Sequence, residues 1–223
     1  MRHPLRARLA ALLPLTPLVV PAAIGAFAEG PLPGFTGGFG EPTCRACHVD
    51  SPEPPPGMLT LKGVPERYEP GREYLIEISL THPALARGGF QAALRHAEGP
   101  LKGQSAGTLA PGDDRVQIVD GPNGVRYVQH SPKGSVPPSP GAIGWHVRWR
   151  APDAGAVALD LAANAGNDDA SPLGDVVATR SERLLPRAEP AAGLALRTTS
   201  PVQRPARRPP VGMPRATRRP PVS

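Results

Sequence analysis

The sequence predicts an all-β chain, an immunoglobulin-like antiparallel sandwich of two sheets. Three observations carry this. Seven or eight short runs alternate apolar and polar residues with a period of two, Gly/Pro/Asn turn signals separate them, and no stretch repeats at the helical period. With 32 prolines and 25 glycines in 223 residues, part of the chain lies outside any packed core.

Residues 1–28 place Arg2, Arg6 and Arg8 ahead of an apolar run from Leu9 to Ala26, followed by the small-x-small site Ala26-Phe27-Ala28. This is the pattern of a secretory signal peptide. Pro14, Pro17 and Pro21 interrupt the run, which argues against a membrane-spanning anchor. Export to the periplasm or the cell exterior is therefore expected. Residues 29–58 are rich in Gly and Pro with few aliphatic side chains, and read as an irregular segment packed on a separate scaffold. Gly34, Gly37, Gly38 and Gly40 precede the chain's two cysteines and Pro52, Pro54, Pro55 and Pro56 follow them, so the backbone can wrap closely around a flat ligand.

The scaffold, residues 59–185, carries the alternation. Tyr74, Ile76, Ile78 and Leu80 share one face after the Pro70-Gly71 turn, and Phe90, Ala92 and Leu94 repeat the pattern after Gly88-Gly89. Arg115 to Val119 should pair with Val125 to Gln129 across the Asn123-Gly124 hairpin signal. Trp145, Val147 and Trp149 oppose His146, Arg148 and Arg150. Val157, Leu159 and Leu161 follow, and Val176 to Thr179 closes the set. The expected core is Tyr74, Ile76, Ile78, Phe90, Trp145, Val147, Trp149, Val157 and Leu159, with both tryptophans serving packing.

Residues 186–223 hold eight arginines, one acid and many prolines, the composition of a disordered basic tail. Residues 29–185 have fourteen Lys and Arg against eighteen Asp and Glu, a balance of −4, so the chain's net +6 belongs to its ends. A nucleic-acid partner is not expected for a domain of acidic balance. The tail would act as an inert linker or touch anionic membrane, cell-wall polymer or an acidic protein.

The chemistry concentrates in Cys44-Arg45-Ala46-Cys47-His48, the c-type haem attachment pattern. Two intervening residues let both thiols reach the haem vinyl groups, and the adjacent imidazole then ligates iron. Covalent haem attachment takes place outside the bacterial cytoplasm, in agreement with the export signal. The alternatives are a disulfide, a redox thiol pair, or half of a zinc site that has no second cysteine pair. Asn164, Asn167, Asp168, Asp169 and Asp175 could hold calcium, although their spacing is not that of an EF-hand and also suits ordinary turns. Motifs for Ser-His-Asp, phosphate-loop or paired-carboxylate catalysis are lacking, so hydrolase and kinase readings have no support.

The runs GFTGGFGEPTCRACH, YEPGREYLIEISL, RGGFQAAL, YVQHSPKG, WHVRWRAP and AANAGNDDASPLGD, in that order over about residues 32–180, resemble the bacterial reelin-type domain, a relative of the reeler domains of animal extracellular proteins. The resemblance implies an extracytoplasmic β-sandwich, often combined with a haem-type motif, and no particular reaction. Members commonly finish in a hydrophobic or sorting anchor, where this chain has its Arg/Pro tail. For the second axial ligand, His130 leads because it ends a predicted strand at a loop; reeler sequences without CxxCH also have a histidine there, which leaves a structural role open. Met58 is the alternative, and His82, His96 and His146 read as solvent-facing. The expectation is an exported monohaem c-type protein for electron transfer, with Cys44, Cys47 and His48 attaching and ligating haem c and His130 as distal metal ligand. The runner-up is a non-catalytic extracellular interaction or adhesion module with a CxxC disulfide. A haem peroxidase would need a vacant iron position and a distal acid-base group that the sequence does not identify.

Overall fold

A computed structural model describes residues 29–188; the predicted signal peptide and all but the first three residues of the predicted tail lie outside them. Among the described residues ten strands form two stacked sheets. The smaller sheet runs β1 (Leu59–Lys62), β3 (Glu73–Thr81), β8 (Ala142–Arg150), β5 (Thr108–Pro111). The larger runs β2 (Arg67–Tyr68), β10 (Val176–Pro186), β9 (Val157–Gly166), β4 (Arg87–His96), β7 (Arg126–His130), β6 (Val116–Asp120).

The alternation that predicts these strands is also what packs them. Trp145, Val147 and Trp149 point inward from β8 against Ile76 and Ile78 of β3, while Arg148 and Arg150 point to solvent. Trp145 meets Phe90 of the opposite sheet at 4.7 Å between ring centroids. Each buried indole N–H has a partner: Trp145 donates to the Gly134 carbonyl and Trp149 to that of Ala106, both at 2.9 Å. A buried indole removes about 150–250 Å² from water, or about 4–6 kcal/mol before conformational entropy is counted. Of the expected core residues only Tyr74 is half-buried, and Met58 joins the core.

Three features differ from the sequence expectation. The sandwich is not wholly antiparallel, because β2 pairs in parallel with the end of β10. β5 and the two-residue β2 lacked a legible signal, being too short to show a period. The β6–β7 hairpin forms as expected from Asn123-Gly124, with Asn123 in the left-handed region (φ 57°), but its loop is a five-residue connection containing a short 3-10 turn.

Residues 29–58 contain no strand and, as expected, pack on the scaffold, lying across the outer face of the larger sheet, which buries β4 on both sides. Gln91 accepts from the Gly34 and Phe35 amides and donates to the Leu32 carbonyl. Arg95, 2% exposed, donates to Glu41 (2.6 Å) and Thr36 (3.0 Å), approaches Asp160 (3.5 Å) and lies under the Phe39 ring (4.4 Å to its centroid). Gly38 makes this contact possible, since a Cβ there would sit 2.0 Å from the Asp160 carboxylate.

Candidate functional site

Where the segment crosses the end of the larger sheet it encloses a half-open cavity of about 320 Å³. One wall comes from Pro31, Leu32 and Phe35, the floor from Gly88, Gly89 and Phe90 of β4, and the rim from the β9–β10 loop. Cys44, Cys47, His48 and His130 all line it. A half-open, largely apolar recess with a few converging polar groups is the ordinary form of a ligand site.

The CRACH stretch is a single tight turn. Thr43 Oγ1 accepts the Arg45 amide (3.2 Å), and the Cys44 carbonyl accepts both Cys47 N (3.2 Å) and His48 N (2.9 Å). Three- and four-residue offsets in such a turn put Cys44, Cys47 and His48 on one side. Arg45 points away and ties the turn down, donating to the Ser51 (2.5 Å) and Pro52 (3.1 Å) carbonyls, while Ser51 Oγ accepts the Val177 amide of β10 (2.8 Å). Both cysteines are free thiols, Cys44 partly buried and Cys47 exposed. Burial, with a smaller contribution from neighbouring Cys47, pushes the Cys44 thiol up to about 12. It is protonated at neutral pH. A redox-active CxxC pair works instead through a depressed thiol.

His48 is held by a buried acid. Its Nδ1 lies 2.6 Å from Asp175 Oδ2, whose side chain is 5% exposed. Asn164 Nδ2 donates to the same oxygen (3.1 Å) and stands 3.3 and 3.4 Å from the two imidazole nitrogens. Asn164 Oδ1 is buried without a hydrogen-bond partner among the described residues. Asp175 and Asn164 are therefore functional candidates that the sequence offered only as calcium ligands. The rest of that acidic group makes turns and surface pairs: Asn167 and Asp169 accept amides two residues on, and Asp168 pairs with Arg87 at 3.0 Å.

His130 ends β7 as expected and is buried. The β4–β7 ladder stops at Gln91–Gln129, and the His130 ring then engages the Phe90 backbone, Nδ1 lying 3.1 Å from its nitrogen and 3.3 Å from its oxygen. Gly89 permits this, for a Cβ there would come within 2.8 Å of His130 Cε1. Gly89 also faces Asn164 across the β4–β9 ladder. β9, on whose Asn164 His48 rests, and β7, which ends in His130, flank β4 at two strand spacings, about 10 Å apart.

Met58, the alternative ligand, is 2% exposed in the hydrophobic core and does not line the cavity. His82, His96 and His146 do not line it either, and His146 pairs with Asp113 at 2.9 Å. Among the described residues no three His, Cys, Asp or Glu side chains gather as a self-contained metal site, and no helix is long and apolar enough to cross a membrane.

No protein-family model and no curated protein sequence matches the chain. Solved structures do. The chain is similar to the human F-spondin reeler domain (fragment 1), with 21% identity over 64% of this chain and 98% of that one and a TM-score of 0.43. It is similar to the Reelin-N domain of F-spondin, with 23% identity over 65% and 96% and a TM-score of 0.43. A structure titled as AvmM, which catalyses macrocyclization in alchivemycin A biosynthesis, shares 13% identity over 59% and 91%, with a TM-score of 0.34.

Proposed function

We propose that this chain is an exported monohaem c-type protein on a reelin-like sandwich, acting in one-electron transfer outside the cytoplasm. One observation carries the reading: the two thiols and the histidine of the CxxCH turn share an apolar cavity with His130, which is 82 residues away from His48.

The residues present fit a haem. The donor set is two thiols and two imidazoles, and the recess they line is largely apolar. The lack of a three-ligand protein cluster is compatible with it, because porphyrin supplies most of the ligands of its iron. When bound, haem supplies a one-electron couple. The protein's part is to attach, ligate and shield. Cys44 and Cys47 would attach the porphyrin covalently through their thiols. His48 would ligate iron through Nε2, its Nδ1 being engaged by Asp175. His130 would be the second protein ligand, its ring held against the Phe90 backbone, whose amide donates to Nδ1 at 3.1 Å with the carbonyl at 3.3 Å. The predicted signal peptide and the six family-like sequence blocks support the extracytoplasmic setting.

The test is expression of the full chain with cytochrome c maturation machinery, followed by acid-acetone extraction. Colour retained by the polypeptide is expected, weakened in Cys44→Ala or Cys47→Ala and lost in the double variant. A folded, colourless product with the two cysteines joined would point instead to an extracellular interaction module.

A further inference from the structure

The buried carboxylate of Asp175 has no role in attaching a cofactor, yet it is the nearest polar partner of the proposed iron ligand. Its position is over-determined. Oδ2 takes both His48 Nδ1 (2.6 Å) and Asn164 Nδ2 (3.1 Å), and Oδ1 takes the Asn167 amide (3.4 Å). Gly166, on β9 beside it, would place a Cβ 3.3 Å from the same carboxylate. The carboxylate is thus held by three contacts and is 5% exposed.

We propose that Asp175, itself positioned by Asn164, is a positioning residue that sets the electron-donating strength of His48 and so lowers the reduction potential of the haem. The inference rests on the haem reading above. A carboxylate accepting the Nδ1 proton of a metal-bound imidazole fixes the tautomer that presents Nε2 and raises the ligand's basicity. A more basic imidazole stabilises ferric over ferrous iron. The one-electron step, ferric haem plus an electron from an external reductant to ferrous haem, therefore becomes harder with Asp175 in place. Removing such a partner ordinarily costs about 10–100-fold in metal affinity or activity, and a ligand effect at the lower end of that range that favours ferric over ferrous iron is a tenfold change in their ratio. For a one-electron couple, tenfold corresponds to about 59 mV.

The experiment is spectroelectrochemical titration of the full-length holoprotein and its Asp175→Asn variant, after intact mass has shown one haem on each. Asp175→Asn is expected to raise the ferrous-to-ferric ratio at a fixed potential at least about tenfold, an upward shift of about 59 mV or more, with Asp175→Glu recovering most of the difference. Asp168→Asn removes one negative charge from the same cavity without touching His48 and is expected to shift the couple far less. If Asp175→Asn does not fold, Asn164→Ala carries the test, with a smaller shift of the same sign. A shift under threefold in Asp175→Asn, or an equal shift in Asp168→Asn, overturns the proposal while leaving the haem reading intact. Wild-type protein without haem overturns the parent reading first, and the mass shows which of the two has failed.

Discussion

Arg95→Met takes a buried cation from between the larger sheet and the segment that carries the cysteines. The guanidinium is 2% exposed and holds Glu41 at 2.6 Å, Thr36 at 3.0 Å and Asp160 at 3.5 Å, while its Nε is buried with no hydrogen-bond partner among the described residues. Methionine fills much of the volume but leaves the two carboxylates with neutral partners alone, Thr36 and Tyr127 for Glu41 and Ser181 for Asp160. Breaking a buried pair from one side costs about 3–5 kcal/mol. In a domain of this size each kcal/mol is about 2–4 °C of melting temperature, so the fall should be about 6–20 °C. The loss should be local before it is global. Residues 29–58 lose one of their two polar anchors on β4, the other being Gln91, and limited proteolysis should cut there at temperatures where the strands still resist. Adding Glu41→Gln to Arg95→Met removes one of the stranded charges and should restore part of the loss, giving a coupling in a double-mutant cycle. A melting temperature lowered by less than about 2 °C, or cleavage no faster within 29–58 than elsewhere, would refute the reasoning.

Other consequences follow from the same geometry. Burial raises the Glu41 carboxyl, but hydrogen bonds from Thr36, Tyr127 and Arg95 and the Arg95 charge outweigh it, so its pKa lies below the ordinary carboxylate value. Such a group adds stability that is fully present above the unfolded pKa, near 4.3, and is lost as pH falls through the folded one; protease sensitivity of residues 29–58 should therefore rise below about pH 4, and Glu41→Gln should flatten that dependence. Met58→Ala should cost about 2–5 kcal/mol in denaturant unfolding and leave the optical spectrum of the ferric holoprotein unchanged, whereas His130→Ala should alter that spectrum; the reverse pattern would return Met58 to the iron. Gly89→Ala should push the His130 ring aside, at a cost of about 1–3 kcal/mol, and change the spectrum in the same direction as His130→Ala.

What the sequence made legible was local. The alternation of Tyr74–Leu80 and Trp145–Trp149 gave two central strands and their inward faces because burial on one side of a pleated strand writes a period of two into the chain. The CxxCH turn and the strand-end position of His130 were also readable. β5 was not, being four residues that end in proline. Arg95 was not, because its face of β4 is covered by a segment with no periodicity of its own, so nothing in the alternation says that this face is buried. Asp175 read as part of an acidic turn; its approach to His48, 127 residues earlier, depends on how the β9–β10 hairpin and the segment's crossing of the sheet meet in space. Sequence spacing does not encode such a meeting.

The central claim is covalent haem on the CRACH thiols, and the intact mass of the full chain exported under maturation-competent conditions tests it most directly. The account predicts the polypeptide plus one haem, with both cysteines blocked to alkylation. A folded, iron-free chain lighter by two hydrogens would contradict it.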